Sequence, residues 1–213
     1  NYNNTWGVHK LDLTTTAEHQ NNRKQFFFTT VKGLASNAFG YDKLMVGNIH
    51  PYKGTSSGYE SPKLTSFMGN LSYTLLNRYA LSLTLRADGS TLVGHNNTWG
   101  FFPSTGLEWN LKEEKWLQDV KWLDHLKLQT SVGRSGNLGG ILAYYTQQTL
   151  VPSGIISYHG IPTVTLGQIR NANPNLKWET RTSFNLGLKT GLLHNRIQLY
   201  AEYYYSKTTD MLY

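Results

Sequence analysis

Segment after segment of this chain alternates apolar and polar residues with a period of two, and every charge inside those segments falls on the polar phase. Tyr79, Leu81, Leu83 and Leu85 alternate with Ala80, Ser82, Thr84 and Arg86. Leu11, Leu13, Thr15 and Ala17 alternate with Asp12, Thr14, Thr16 and Glu18; Leu71, Tyr73 and Leu75 with Asn70, Ser72 and Thr74. The same rhythm runs through Trp99–Trp109, where Phe102, Ser104, Gly106 and Glu108 form the other phase, and through Leu126–Gly133, Phe184–Lys189 and Ile197–Tyr205. A period of two sends successive side chains to opposite faces of a strand, so these are strands between two different media. In a soluble sandwich the apolar face meets a second sheet. In an outer-membrane barrel it meets lipid, while the polar face lines a wet lumen. A charge on a lipid face costs roughly 2–4 kcal/mol at the midplane, and the confinement of charge to one phase matches that penalty. The barrel reading points Tyr79, Leu81, Leu83, Leu85, Leu126, Leu128, Phe184, Leu186 and Leu199 to lipid. It points Ser82, Thr84, Arg86, Lys127, Gln129, Lys189, Gln198 and Glu202 to the lumen.

Hydropathy agrees once the period is taken into account. No uninterrupted apolar stretch approaches the ~20 residues of a spanning helix, which excludes a helical membrane protein. A barrel strand places only every second residue in lipid, so the mildly negative mean hydropathy is compatible with one. The 14 Tyr, 6 Trp and 8 Phe include Tyr79, Trp99, Trp109, Tyr203 and Tyr205 towards strand ends, the arrangement of interfacial aromatic girdles. Formal charge is +7, but the cations are dispersed singly, without the clustering that nucleic-acid binding requires. With no cysteine, thiolate metal sites and disulfides are excluded and the redox compartment cannot be read.

Loop length supplies the second constraint. Gly7–Lys10, Asn77-Arg78 and Leu192–Arg196 are tight links, and Asn110–Asp124 is a moderate one with room for a helical turn around Glu113–Leu117. Between them fall long connections, Lys24–Lys63 and Arg134–Trp178, and an intermediate one, Asp88–Thr98. Outer-membrane barrels place short turns on the periplasmic side and long loops outside, whereas a sandwich has no reason to segregate them. Ile141–Leu150 and Pro162–Ile169 are expected to hold local structure inside the longest loop. The expected architecture is an all-β antiparallel up-and-down meander of about eight strands or part-strands. It forms part of a large transmembrane β-barrel, with residues 1–213 as one internal segment of it.

Candidate chemistry is sparse. Gly54-Thr-Ser-Ser-Gly58 fits the nucleophile-elbow pattern, but that elbow needs a strand before it and a helix after it, and here it falls in a Gly/Ser/Pro-rich loop. The seven His residues (His9, His19, His50, His95, His125, His159 and His194) form no pair at metal-ligand spacing, so no metal or cofactor is expected. Asp88 reads as an Asp-Gly turn residue, and Asn173–Glu179 as a turn entering a strand with Trp178 at the membrane interface. No catalytic constellation emerges. Loop aromatics at Tyr144, Tyr145, Tyr158 and His159 sit where no period assigns them to a buried face, and they are candidate binding residues for a lid or cargo.

Four stretches in order resemble the SusC/RagA-like TonB-dependent transporters of the Gram-negative outer membrane. They are Tyr73–Ser90, ending in Arg86-Ala-Asp-Gly-Ser90; Asn96-Asn-Thr-Trp-Gly-Phe-Phe-Pro-Ser104; Leu126–Asn137; and Asn173-Pro-Asn-Leu-Lys-Trp-Glu-Thr180 followed by Tyr203–Leu212. The chain departs from the family pattern at Thr91, Leu92 and Val93, and at Thr98. The resemblance implies a plugged barrel of about 22 strands that imports bulky glycans or peptides. A SusD-like surface lipoprotein would cap it and TonB would supply energy, with the plug and TonB-contacting parts outside this segment. The reading that stays open beside it is a soluble carbohydrate-binding or adhesion β-domain.

Overall fold

The structure, a computed structural model, describes residues 1–34, 38, 41–42, 44, 47–49 and 55–211. The strands in chain order are β1 (Tyr2–Trp6), β2 (His9–Asn21), β3 (Lys24–Thr29), β4 (Val31–Lys32), β5 (Asn48–Ile49), β6 (Thr55–Glu60) and β7 (Lys63–Leu75). There follow β8 (Tyr79–Ser90), β9 (Trp99–Asn110), β10 (Leu123–Asn137), β11 (Thr149–Tyr158), β12 (Ile161–Arg170), β13 (Glu179–Leu192) and β14 (Ile197–Thr209). Eight of them form one antiparallel sheet in the order β1-β2-β7-β8-β9-β10-β13-β14, and β3–β6, β4–β5 and β11–β12 are two-stranded excursions from it. Each sheet strand therefore pairs with the next along the chain, an up-and-down meander. From β7 onward the sheet strands run 12 to 15 residues, well beyond the ~9–11 a tilted spanning strand needs.

Register is what turns seven separate alternations into two continuous faces. Leu81 opposes Tyr73 and Leu107, Thr130 joins Leu107 to Leu186, and Leu186 opposes Tyr203. One row over, Ser72, Ser82, Gly106, Ser131 and Asn185 follow one another across five strands. A slip by one residue within a ladder would mix the faces; the one irregularity in the eight-stranded sheet lies between Leu123 and His125, at the very start of β10, and leaves the register from Leu126 onward unbroken. The longer strands add a refinement. Beyond the segments legible in sequence, β10 and β14 carry Arg134 and Lys207 onto the apolar phase, both opposite Thr182. Charge does enter that phase, but towards the long-loop end, where the apolar band stops; Lys63 at the start of β7 is a further case.

Turn and loop lengths segregate by end. Gly7-Val8, Leu76–Arg78, 111–122 and Leu193–Arg196 join strands at one end; 22–62, 91–98 and 138–178 join them at the other. The first long connection contains β3–β6 and β4–β5, and the last contains β11–β12, so both are partly folded. Of the two loop segments expected to be ordered, Pro162–Ile169 lies within β12, whereas Ile141–Leu150 is mostly turns leading into β11. The moderate link opens with a 3-10 turn at Leu111–Glu113. It is tied off by Lys112, whose Nζ donates to the carbonyls of Leu117, Gln118 and Val120 at 3.0, 3.1 and 2.8 Å.

Burial does not follow the sheet. Leu107 and Leu199 on the apolar face are each 56% exposed, as a face built to meet lipid would be. Among the described residues, the one cluster of buried apolar side chains gathers Val93, Phe102, Ile141 and Trp178 at the long-loop end, with Leu64, Leu92, Leu138, Tyr145 and Leu176 packed around it.

Candidate functional site: the polar face and its long-loop end

The polar face changes character along the strands. Nearest the short turns it is charged: Lys127 Nζ donates to Glu108 Oε1 at 2.7 Å, and Gln129 Nε2 donates to the other carboxylate oxygen. Lys189 opposes Lys127 in register and lies 5.3 Å from the Tyr200 ring centroid. Glu202 shares the face two residues beyond Tyr200. Gln129, Lys189 and Glu202 thus fall on the same side as Arg86 and Lys127. In the middle the face is small and neutral, with two shallow depressions of about 380 and 390 Å³ that share Ser82, Gly106, Ser131 and Asn185.

Beneath the long loops the polar face closes over itself. Phe102 projects from β9 on this face, opposite Arg86, and is only 5% exposed. Its ring lies where side chains at Gly100 and Gly136 would otherwise stand: a Cβ built on either glycine would meet it at 2.4 and 2.2 Å. Trp178 meets Phe102 edge-on and donates its indole N–H to the Thr98 carbonyl at 3.3 Å. Asn96 Nδ2 donates to Asn175 Oδ1 at 2.9 Å, Asn97 Nδ2 to the Asn175 carbonyl at 3.1 Å, and Gly94 N to the Leu176 carbonyl at 2.9 Å. A Cβ at Gly94 would strike the Pro174 carbonyl at 1.9 Å, so only glycine allows that approach. These residues are the Asn96–Ser104 and Asn173–Thr180 stretches, and together they form a clasp between two loops.

Several sequence expectations are corrected here. Trp178 is a buried clasp residue, not an interfacial one. Asp88 is no turn residue: β8 continues to Ser90, and both Asp88 oxygens accept from Arg86 Nε, at 2.9 and 2.8 Å. Of the elbow-like stretch, Gly54 lies outside the described residues, while Thr55–Gly58 is not loop but part of β6, with Ser56 opposite Phe28. No helix follows it, because β7 starts at Lys63. His50 also lies outside the described residues. Among the described residues no three His, Asp or Glu side chains converge as a metal site would require.

The four loop candidates separate into two places. Tyr145 packs against the clasp core and stacks on Arg170, 3.7 Å from guanidinium carbon to ring centroid. Tyr144, at φ 67°, donates its hydroxyl to the Tyr59 carbonyl at 2.7 Å and ties the clasp to the β3–β6 hairpin. Tyr158 and His159 sit at the tip of β11–β12, their rings edge-on at 4.4 Å, with Tyr158 62% exposed. That hairpin is about 30 Å long, so the two pairs do not converge on one site.

At the short-turn end a second lock holds the aromatic rows. Tyr79 and Trp109 stack at 6.2 Å, and Glu114 Oε1 accepts from the Tyr79 hydroxyl at 2.6 Å and the Trp109 indole at 3.0 Å. Arg78 Nη1 is 3.6 Å from the other Glu114 oxygen. Those donors hold the Glu114 carboxyl below the ordinary carboxylate range, led by the Tyr79 hydroxyl, then the Trp109 indole, with the Arg78 charge contributing less.

An antiparallel sheet with one lipid-type face, one polar face and loops sorted by end is a length of β-barrel wall. Comparison with known proteins agrees. The family described as TonB dependent receptor-like, beta-barrel matches residues 1–213. A TonB-dependent receptor of Formosa agariphila is 32% identical over 205 residues, covering 96% of this chain and 20% of that protein. The TonB-dependent receptor SusC of Bacteroides thetaiotaomicron is 39% identical over 151 residues, covering 70% of this chain and 15% of SusC. A solved structure of the RagAB peptide transporter superposes with TM-score 0.83 at 24% identity, over 99% of this chain and 23% of that one, which speaks to fold. The chain belongs to the TonB-dependent receptor β-barrel family and is SusC/RagA-like within it. The match covers only 15–20% of the length of these two relatives.

Proposed function

We propose that this chain is a stretch of barrel wall in a TonB-dependent outer-membrane importer that takes up bulky glycans or peptides. The single observation carrying the proposal is the joint segregation of charge and loop length: polar side chains on one face across all eight sheet strands, long loops at one end. On this reading Arg86, Lys127, Gln129, Lys189 and Glu202 line the lumen, and the apolar face meets lipid. The long loops then stand outside the cell, where a SusD-like lipoprotein would cap the barrel. TonB would act through parts of the protein outside this segment. The protein works as a transporter rather than an enzyme, with no cofactor. A soluble sugar-binding domain is disfavoured by the exposure of Leu107, which is in mid-sheet on β9, because a soluble sheet covers such a face. The test is extraction of the full-length protein from cells. An importer partitions with outer membranes, needs detergent, and loses uptake of its cargo when TonB is deleted; recovery in detergent-free buffer refutes it.

A further inference from the structure

Arg86 sits just below the clasp, across β8 from Met68 on β7 and from the buried Phe102 on β9. Its contact with Asp88 is incomplete. Nε donates to both Asp88 oxygens, yet neither terminal nitrogen has a partner among the described residues. Arg–carboxylate pairs are frequently bidentate, with two parallel N–H groups on the two oxygens. Here Asp88, whose side chain is 9% exposed, takes only the inner donor, and the Arg86 side chain remains 42% exposed. The two terminal nitrogens are therefore held with their paired N–H groups free. Across from Asp88 on the same face, Ser66 is 5% exposed and its hydroxyl has no partner. Buried polar groups in folded proteins are almost always paired, so an unpartnered hydroxyl opposite Asp88 is a second irregularity in the hydrogen bonding of this part of the polar face.

We propose that Arg86 is a carboxylate-binding fork on the polar face, with Asp88 as its positioning residue. Two parallel N–H groups match the spacing of carboxylate oxygens. The singly charged carboxylate fits better than a phosphate, because Asp88 already offsets the guanidinium charge and would repel a second negative charge. The carboxylate comes either from cargo or from an Asp or Glu of the same protein outside these residues. The inference rests on the lumen-wall reading, since only there does the polar face meet such groups.

The test is a side-chain-resolution structure of the full-length protein, purified once in chloride and once in sodium formate, for the natural chain and for Arg86→Lys. A protein carboxylate within ~3 Å of the Arg86 terminal nitrogens in both buffers identifies the internal source. Formate seen there only in the formate buffer, and lost in Arg86→Lys because ammonium offers no fork, identifies a free-ligand site. Water or neutral groups on both nitrogens in both buffers overturn the proposal, as does formate that persists in Arg86→Lys. The same maps show which way the face points. Arg86 towards lipid sinks the wall reading, whereas an inward Arg86 without a carboxylate sinks only this one. In the internal-source case Arg86→Lys also lowers the unfolding midpoint; in the free-ligand case it weakens formate binding roughly tenfold or more.

Discussion

Trp178 closes edge-on over Phe102, with 5.4 Å between ring centroids, and so joins a loop 80 residues further along the chain to the strand entry at Thr98. Phe102 projects from the polar phase of β9, a position that alternation alone would give to water. It is buried because two glycines clear a berth and a second loop brings Trp178 down on it.

Removing either ring opens a cavity that the rigid sheet cannot collapse into. Phe102→Ala and Trp178→Ala are each expected to cost about 3–5 kcal/mol, with a coupling of about 0.5–1.5 kcal/mol in the double mutant. Denaturant unfolding of the purified full-length protein measures both. Limited proteolysis should find new cuts in 91–98 and 138–148. Additive effects with unchanged cutting would mean that the rings do not act together.

Charge placed on the two faces should have unequal effects. Leu83→Arg and Leu128→Arg put a cation on the apolar phase, at roughly 2–4 kcal/mol near the midplane. Ser82→Arg and Ser131→Arg, one and three residues away on the polar phase, should be tolerated. The amount of folded, heat-modifiable protein in outer-membrane fractions reports the difference; equal loss from both sets would break the assignment of faces.

Glu114 makes the short-turn lock sensitive to acid. Its carboxyl is held below the ordinary range in the folded protein, so its stabilising effect is fully present above the unfolded carboxylate value. The effect disappears as pH falls through the depressed folded value. Glu114→Gln should flatten the acid limb of a stability-against-pH curve and leave neutral-pH folding cooperative. A curve that still steepens identically in Glu114→Gln would assign the acid limb to other carboxylates.

Orientation is open to direct chemical labelling. In intact cells, Ser157→Cys near the tip of β11–β12 should react with a membrane-impermeant maleimide, and Asn77→Cys in the β7–β8 turn should react only after lysis. The reverse pattern would invert the topology.

Tyr144 and Tyr158 should part ways on mutation. Tyr144→Phe removes the hydrogen bond to the Tyr59 carbonyl and should raise protease sensitivity of the β3–β6 hairpin without changing uptake. Tyr158→Ala, at an exposed tip, should leave proteolysis unchanged and weaken lipoprotein capping or cargo uptake. Normal capping and uptake in Tyr158→Ala would leave that ring without a binding role.

The sheet was legible in the sequence because strand alternation is a local property. Leu81 and Ser82 declare opposite faces from their immediate neighbours, and a penalty of a few kcal/mol per misplaced charge keeps Glu108 and Lys127 in phase with no knowledge of their partners. Loop sorting was legible for the same reason, since lengths are read directly along the chain. What only the tertiary structure decided were contacts between residues far apart in sequence. Trp178 looked interfacial until β10 and β13 paired and brought it over Phe102. Asp88 looked like a turn until β8 ran on to Ser90. Tyr144, Tyr145, Tyr158 and His159 looked like one group until the 10-residue strand β11 separated the first two from the last two. Gly94, Gly100 and Gly136 carry no side chain for a pattern to register, and their role exists only when another segment needs the space they leave empty. Periodicity sorts residues by the medium they face; it is silent on which loop folds down to exclude water from a residue on the wet side.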